Sequence, residues 1–217
     1  MKPLRLRFRK SGSIRYISHL DLSRAFSRAL VRAGVGLWYT EGFNPHPFLV
    51  FGPPLSVGYI GEREILDIRL VSDEEPEDIR YRLSRALPRG LEVTEIYTGG
   101  RPLKELARAT YSVYMEGGPA LFGALARLWE QDRVTAFKKS KSRAGFTEVD
   151  ITRHIRALRP SPSEDGYRAE LCLPCSQSEN VNPALLLAAV EKEAGTPFDY
   201  RLITRTDFLD AEGEPFW

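Results

Sequence analysis

Two histidines and a ladder of basic side chains share the stretch Arg15 to Gly58, RYISHLDLSRAFSRALVRAGVGLWYTEGFNPHPFLVFGPPLSVG. His19 falls in the first turn of an expected helix, where the positive helix end disfavours a second positive charge and leaves a neutral imidazole able to accept a proton near pH 7. A histidine that only bonds locally fits the same position. His46 sits in Asn44-Pro45-His46-Pro47, whose prolines restrict the backbone and pre-organise the ring for a base or a phosphate, or simply make a rigid loop. Phe43 and Asn44 beside it offer a stacking face and an amide edge. Cys172-Leu173-Pro174-Cys175 has the spacing of half a zinc site or a redox couple. No second such pair accompanies it, it ends a strand, and two structural cysteines explain it as well, so no metal and no cofactor is expected. Glycine-rich phosphate loops, H-E-x-x-H and G-x-S-x-G are all absent. The residues point to what the chain touches more than to a reaction.

Charge is unevenly spread. The 217 residues carry a formal charge of only +2. Met1 to Gly36 nevertheless holds Lys2, Arg5, Arg7, Arg9, Lys10, Arg15, Arg24, Arg28 and Arg32 against the single acid Asp21. A molecule polarised in this way suits an anionic partner at one end. The run Lys138-Lys139-Ser140-Lys141-Ser142-Arg143 reads as a basic hairpin tip, either solvated or gripping phosphate. Arg153, His154 and Arg156 follow it. Two cysteines make no disulfide framework, and neither a leader nor a membrane span is expected, so the cytoplasm is the expected home.

The elements that must position these groups follow from periodicity. Leu4 to Arg9 alternates strictly, which predicts a strand burying Leu4, Leu6 and Phe8 and showing Arg5, Arg7 and Arg9 on its other face. Ser18-His19-Leu20-Asp21 predicts a capped helix start, with Leu22, Phe26, Ala29, Leu30 and Ala33 inward, Arg24, Arg28 and Arg32 outward, and Gly34 and Gly36 as stops. Short strands are expected at Leu37–Tyr39, Phe48–Phe51, Leu55–Tyr59 and Ile65–Leu70. A helix at Pro76–Leu87 and a strand at Leu91–Tyr97 complete the half. The second half repeats the rhythm. Strands are expected at Tyr111–Met115, Val134–Phe137, Ile155–Leu158, Tyr167–Leu173 and Tyr200–Phe208, with helices at Pro119–Glu130 and from Asn182 to about Ala194. The expected fold class is therefore α+β, two tandem ferredoxin-like (split βαβ) halves with antiparallel sheets. They span 1–98 and 105–217, with Thr98-Gly99-Gly100-Arg101-Pro102 as linker.

At F-R-K-S-G-S-I-R-Y-I-S-H-L-D-L followed by Y-T-E-G-F-N-P-H-P, the chain resembles the radical SAM-linked protein family, a bacterial domain of unknown function. The likeness covers Arg5 to Leu70, including Pro54-Leu55, Gly58 and Glu64-Ile65-Leu66-Asp67-Ile68. It thins in the second half to Glu148-Val149-Asp150-Ile151 and Arg205-Thr206. The resemblance implies a free-standing form and a radical SAM partner enzyme with an iron–sulfur cluster, with cobalamin a further cofactor to be considered for that partner. It also implies genomic company with RNA metabolism, often a ribonuclease of the E/G type, and it supplies no assigned activity. In architecture the chain is also similar to the CRISPR repeat-processing endoribonucleases.

Three functions follow. The leading expectation is an RNA-binding accessory protein that presents tRNA or rRNA to a radical SAM modification enzyme. Its phosphate-gripping residues would be Arg5, Arg7, Arg9, Arg15, Arg24 and Arg28, with Lys10 and the run Lys138, Lys139, Lys141 and Arg143 adding positive charge. Tyr16, His19, Phe43, Asn44 and His46 would lie along the RNA, Tyr16, Phe43, Asn44 and His46 addressing an unpaired base. The second is a metal-independent endoribonuclease with His19 as base and Lys10 or Arg15 steadying the phosphorane. The third is a protein-interaction module docking the enzyme without RNA.

Overall fold

The computed structural model describes residues 1–139, 145–176 and 178–217. The chain is α+β, with five α-helices, ten strands and predominantly antiparallel sheets among the described residues. It divides into two compact units, Met1–Ala107 with Thr204–Trp217, and Arg108–Ile203.

In the first unit β1 (Lys2–Lys10) leads through a 3-10 turn (Gly12–Tyr16) into α1 (His19–Arg32). The Ser18 hydroxyl accepts the Asp21 N–H at 3.1 Å, one of the orphan donors of the first turn, and Gly34 closes the helix at φ +64°. Then come β2 (Leu49–Phe51), β3 (Ile60–Leu70), α2 (Pro76–Ala86) and β4 (Leu91–Thr98). β1 lies between β4 and β3, and β2 pairs with β3, these three pairings all antiparallel. Leu4, Leu6 and Phe8 meet Leu22, Phe26, Ala29 and Leu30 of α1 and Ile79 and Leu83 of α2 in one core, with the Phe8 and Phe26 rings edge-on at 4.7 Å. Burial of each such side chain stabilises the unit by about 1.5–3 kcal/mol.

The second unit holds β5 (Arg108–Glu116), α3 (Pro119–Glu130), the hairpin β6 (Thr135–Lys139) and β7 (Phe146–Asp150), α4 (Thr152–Ala157), β8 (Ser161–Ser163), β9 (Gly166–Pro174) and α5 (Pro183–Ala194). β9 pairs antiparallel with both β5 and β8. β10 (Tyr200–Leu209) starts in this unit, where the Asp199 N–H donates to the Glu116 carbonyl, and its last six residues belong to the first.

Several expectations need correction. Ile155–Leu158 is not a strand: Ile151, Ile155 and Leu158 recur at steps of four and three and are all fully buried, which is helical spacing. The Asp150 carboxylate accepts the Thr152 N–H at 2.9 Å just before that helix begins. Leu55–Tyr59 forms no strand, because Gly58 turns the chain at φ +89°. Leu37 and Tyr39 make isolated bridges only. The division also differs from 1–98 and 105–217, since Thr204–Trp217 packs with the first unit. Thr204 and Arg205 run parallel to Ile60 and Gly61 of β3.

Gly90, between α2 and β4, has φ +94°, and a Cβ there would stand 2.5 Å from the Ser11 carbonyl oxygen. That close approach lets Ser11 donate its N–H to the Gly90 carbonyl at 2.8 Å and sets where the 3-10 turn begins. Gly90→Ala is expected to destabilise the first unit by about 1–3 kcal/mol or more, read as a lowered urea midpoint with an unchanged m-value.

Candidate nucleic-acid interface

Arg5 and Arg7 do share the face of β1 opposite the helices, yet they are 3% and 1% exposed. Arg5 lies directly across from Asp67 on β3 and donates to it through Nε at 2.7 Å and Nη2 at 2.9 Å. Arg7 donates to the Arg63 carbonyl at 3.0 Å, to the Phe216 carbonyl, and at 3.5 Å to Asp207. The Phe216 ring packs on the Arg5 guanidinium and the Trp217 ring on that of Arg7, at 5.5 and 5.6 Å. The repulsion along the strand is thus answered by the chain's own carboxylates, carbonyls and rings. This corrects the expectation of an exposed arginine row, of which Arg9, opposite Glu92, is the exposed member.

Lys10, continuing the inward set of Leu4, Leu6 and Phe8, is 1% exposed and donates to the Ile17 carbonyl at 3.2 Å. Its ammonium is buried, which corrects its place among surface phosphate contacts. Close by lies a buried ion pair that the sequence reading did not single out as functional. Arg205 donates to Glu64 through Nε at 2.8 Å and Nη2 at 2.5 Å, and to the Pro53 carbonyl at 2.7 Å. Gly61 leaves the room: a Cβ there would meet Glu64 Cγ at 2.5 Å. Burial lowers the Lys10 pKa, the Glu64 carboxylate opposing and Arg205 adding to the effect. Burial and then the Lys10 charge likewise lower that of His19, against the pull of Glu64. His19 keeps an open side, with its ring edge-on to Phe51 at 5.3 Å. The cluster therefore holds a neutral imidazole beside fixed positive charge.

The third arrangement is open to solvent. The loop 40–46 closes on itself: the Thr40 N–H donates to the His46 carbonyl at 2.9 Å, and the His46 N–H to Thr40 Oγ1 at 3.3 Å. His46 Nδ1 lies 3.1 Å from both the Asn44 carbonyl oxygen and Thr40 Oγ1, and the residue is exposed. That ring lines a groove of ≈ 340 Å³ with Ser23, Arg24, Ser27 and Arg28 of α1 and with Pro47 and Leu49. Arg24 and Arg28, one helical turn apart, are exposed, and Asp21 at 3.5 Å from Arg24 already caps the helix through Ser18. Two guanidinium groups, two hydroxyls and an imidazole thus line one groove, groups of the kind that phosphate oxygens accept hydrogen bonds from.

The other expected residues scatter. Arg15 stacks on the exposed Tyr16 ring at 4.8 Å and donates to its hydroxyl at 2.6 Å. Phe43 stands fully in solvent at the loop tip beside exposed Asn44. Lys138, in the second unit, donates to the Asn180 carbonyl at 3.3 Å. Lys139 is the last residue of β6, and Lys141 and Arg143 lie outside the described residues. Cys172 is exposed, and Cys175 is buried with its Sγ accepting from Asn180 Nδ2 at 3.8 Å. Among the described residues no group of three or more His, Cys, Asp or Glu side chains is placed to hold a metal ion, and no helix is long and apolar enough to cross a membrane.

Fold and groove together define an α+β protein with a cationic surface cleft on its first helix. The chain belongs to the family described as an uncharacterized protein conserved in bacteria (DUF2344), whose model matches residues 3–183. No curated protein matches it. Among solved structures it is similar to the crystal structure of an unknown protein from Galdieria sulphuraria, at 13% identity over 97% of this chain and 98% of that one, with a TM-score of 0.30. That likeness carries no argument about fold or function.

Two outcomes test the buried cluster. Glu64→Ala leaves Arg205 buried without its partner and is expected to cost about 3–5 kcal/mol in urea unfolding, much of it recovered when Arg205→Met is added. Because the folded chain holds the His19 pKa low, the unfolded chain binds more protons below the ordinary histidine range. Stability is therefore full above that range and falls with pH through the lowered value. His19→Gln should flatten the decline of Tm between pH 7 and 5 relative to wild type.

Proposed function

We propose that this protein is an RNA-binding accessory factor that holds a structured RNA, tRNA or rRNA, for a radical SAM modification enzyme. The observation that carries the RNA reading is the groove in which Arg24, Arg28 and His46 meet. It pairs donors for phosphate with an imidazole edge, and the exposed Phe43 ring, three residues before His46 in the same loop, is free to stack on an unpaired base. The phosphate-gripping set is accordingly Arg24, Arg28 and His46, with Arg9 as an exposed outlier. The radical SAM partner rests on the resemblance over Arg5 to Leu70. We read the two units as ferredoxin-like halves. The β4-β1-β3-β2 order of the first supports this, as does the run of β10, β5, β9 and β8 in the second.

A second reading has its own observation. His19, held neutral near buried Lys10, is suited to take the proton of a ribose 2′-hydroxyl as that oxygen attacks the adjacent phosphorus and displaces the 5′-oxygen, which takes a proton from water and leaves a 2′,3′-cyclic phosphate. Lys10 would act through the His19 pKa, since its ammonium is buried.

Filter binding of tRNA and rRNA fragments across a salt series tests the leading reading. Arg24→Ala and Arg28→Ala are each expected to lower the magnitude of the log–log salt slope by about 0.7–0.9, and together by about twice that. Unchanged slopes in the double variant remove the groove from the account. Incubation with total RNA in EDTA separates the readings, because cleavage that His19→Ala abolishes makes the protein a nuclease.

A further inference from the structure

On the face of the first sheet that the helices leave uncovered lies a cavity of ≈ 500 Å³, a volume in the range of small-molecule sites. Strand register builds its floor. Pro3 of β1 stands across from Arg69 of β3, and Arg5 of β1 and Val50 of β2 both stand across from Asp67. The Gly99–Leu103 loop is the roof. It is tied down at Arg101, whose backbone N–H donates to the Trp217 carbonyl at 2.7 Å and whose guanidinium donates to Glu105 and Asp210. Four charged side chains reach the lining, and three are spent within the chain. Arg5 and Asp67 satisfy each other through bonds of 2.7 and 2.9 Å, and the remaining Arg5 nitrogen is buried beneath Gly100, so that pair is a neutral floor. Arg101 is answered by its two carboxylates. Arg69 is left over. Its guanidinium is held against the Phe48 and Trp38 rings, at 4.1 and 5.5 Å from their centres. Ring contacts of this kind occupy the face of the group and leave its N–H edges. Among the described residues Arg69 has no ion-pair or hydrogen-bond partner. The walls around it are apolar, made by Pro3, Val50, Pro102 and Leu103.

One unspent guanidinium in a lining that is otherwise apolar or internally neutralised selects a ligand with a single negative charge on an apolar body. A carboxylate meets the guanidinium fork with two parallel hydrogen bonds, and its one charge is cancelled. A phosphate monoester would bring a second negative charge that no other free group of the lining answers, and its desolvation would go uncompensated. We propose that the cavity binds a small monocarboxylate with an aryl or branched-alkyl body, its carboxylate on Arg69 and its body against Val50, Pro102 and Leu103. The site is separate from the α1 groove and stands whether or not that groove binds RNA.

Ligand-observed NMR titration of the full chain with phenylbutyrate, its uncharged amide, acetate and phenyl phosphate tests it. Phenylbutyrate should bind, and the amide at least tenfold more weakly, because it lacks the charge-assisted pair. Acetate, which has the charge without the body, should not bind measurably, and phenyl phosphate should bind more weakly than phenylbutyrate. Arg69→Met keeps the stem against Phe48 and removes the charge. It should bring the acid down to the affinity of the amide and leave the amide unchanged, an outcome that loss of folding could not produce. Val50→Trp fills the space from an exposed wall position and should weaken acid and amide together. No binding of phenylbutyrate by the wild type, an amide as tight as the acid, phenyl phosphate as tight as phenylbutyrate, or an acid affinity unmoved by Arg69→Met overturns the proposal. The double change of Arg24→Ala and Arg28→Ala should leave phenylbutyrate affinity intact, so loss of RNA binding in that variant speaks only to the groove.

Discussion

Charge compensation inside the first unit is the constraint on which the rest of this structure depends. Arg5, Arg7, Lys10 and Arg205 are all nearly removed from water, and a buried charge persists only where a counter-charge and fixed hydrogen bonds answer it. Glu64 supplies that answer for Arg205, Asp67 for Arg5, and Asp207 with the Phe216 carbonyl for Arg7. These contacts bring residues 141 and 200 or more positions apart in the chain together. They fix the Thr204–Trp217 segment to the opening strand, so the end of the chain belongs to the unit in which it begins.

From this follows a division of labour among the basic residues. Arg5, Arg7 and Lys10 on β1 hold the fold; Arg24 and Arg28 on α1, which among the described residues meet no carboxylate except Asp21, stay exposed. The same composition thus serves two purposes, and burial separates them. His19 stands at the boundary. It is open to solvent on one side, and it is kept from protonating on the other by burial and by an ammonium whose own charge is disfavoured where it sits.

The loop around His46 shows how a short proline-bracketed segment becomes a positioning device. Reciprocal bonds between Thr40 and His46 close it, Thr40 Oγ1 and the Asn44 carbonyl flank the ring nitrogen Nδ1, and the Phe48 N–H to Trp38 carbonyl bond anchors its base. A mobile imidazole would lose more entropy on meeting an anion than this one does. Its neighbours on α1 are equally constrained, being one turn apart on a capped helix.

Much of the architecture was legible in the residues alone. The alternation of Leu4, Leu6 and Phe8, the Ser18 cap, the Pro76, Pro119 and Asn182-Pro183 helix starts and the inward stripes of α1 and α2 are local signals, set by backbone sterics and by periods of 2 and 3.6. Local signals also placed Arg24 and Arg28 outward and His46 in a rigid loop. They could not say that these three share one groove, nor that the outward arginines of β1 are covered, because an alternating strand reads the same whether its second face meets water or a returning chain. They missed the Glu64–Arg205 pair for the same reason, since partners so far apart leave no trace in spacing. Periodicity decides which side of an element a residue takes; what lies against that side is decided by tertiary pairing, through the cost of leaving a charge or a carbonyl without a partner.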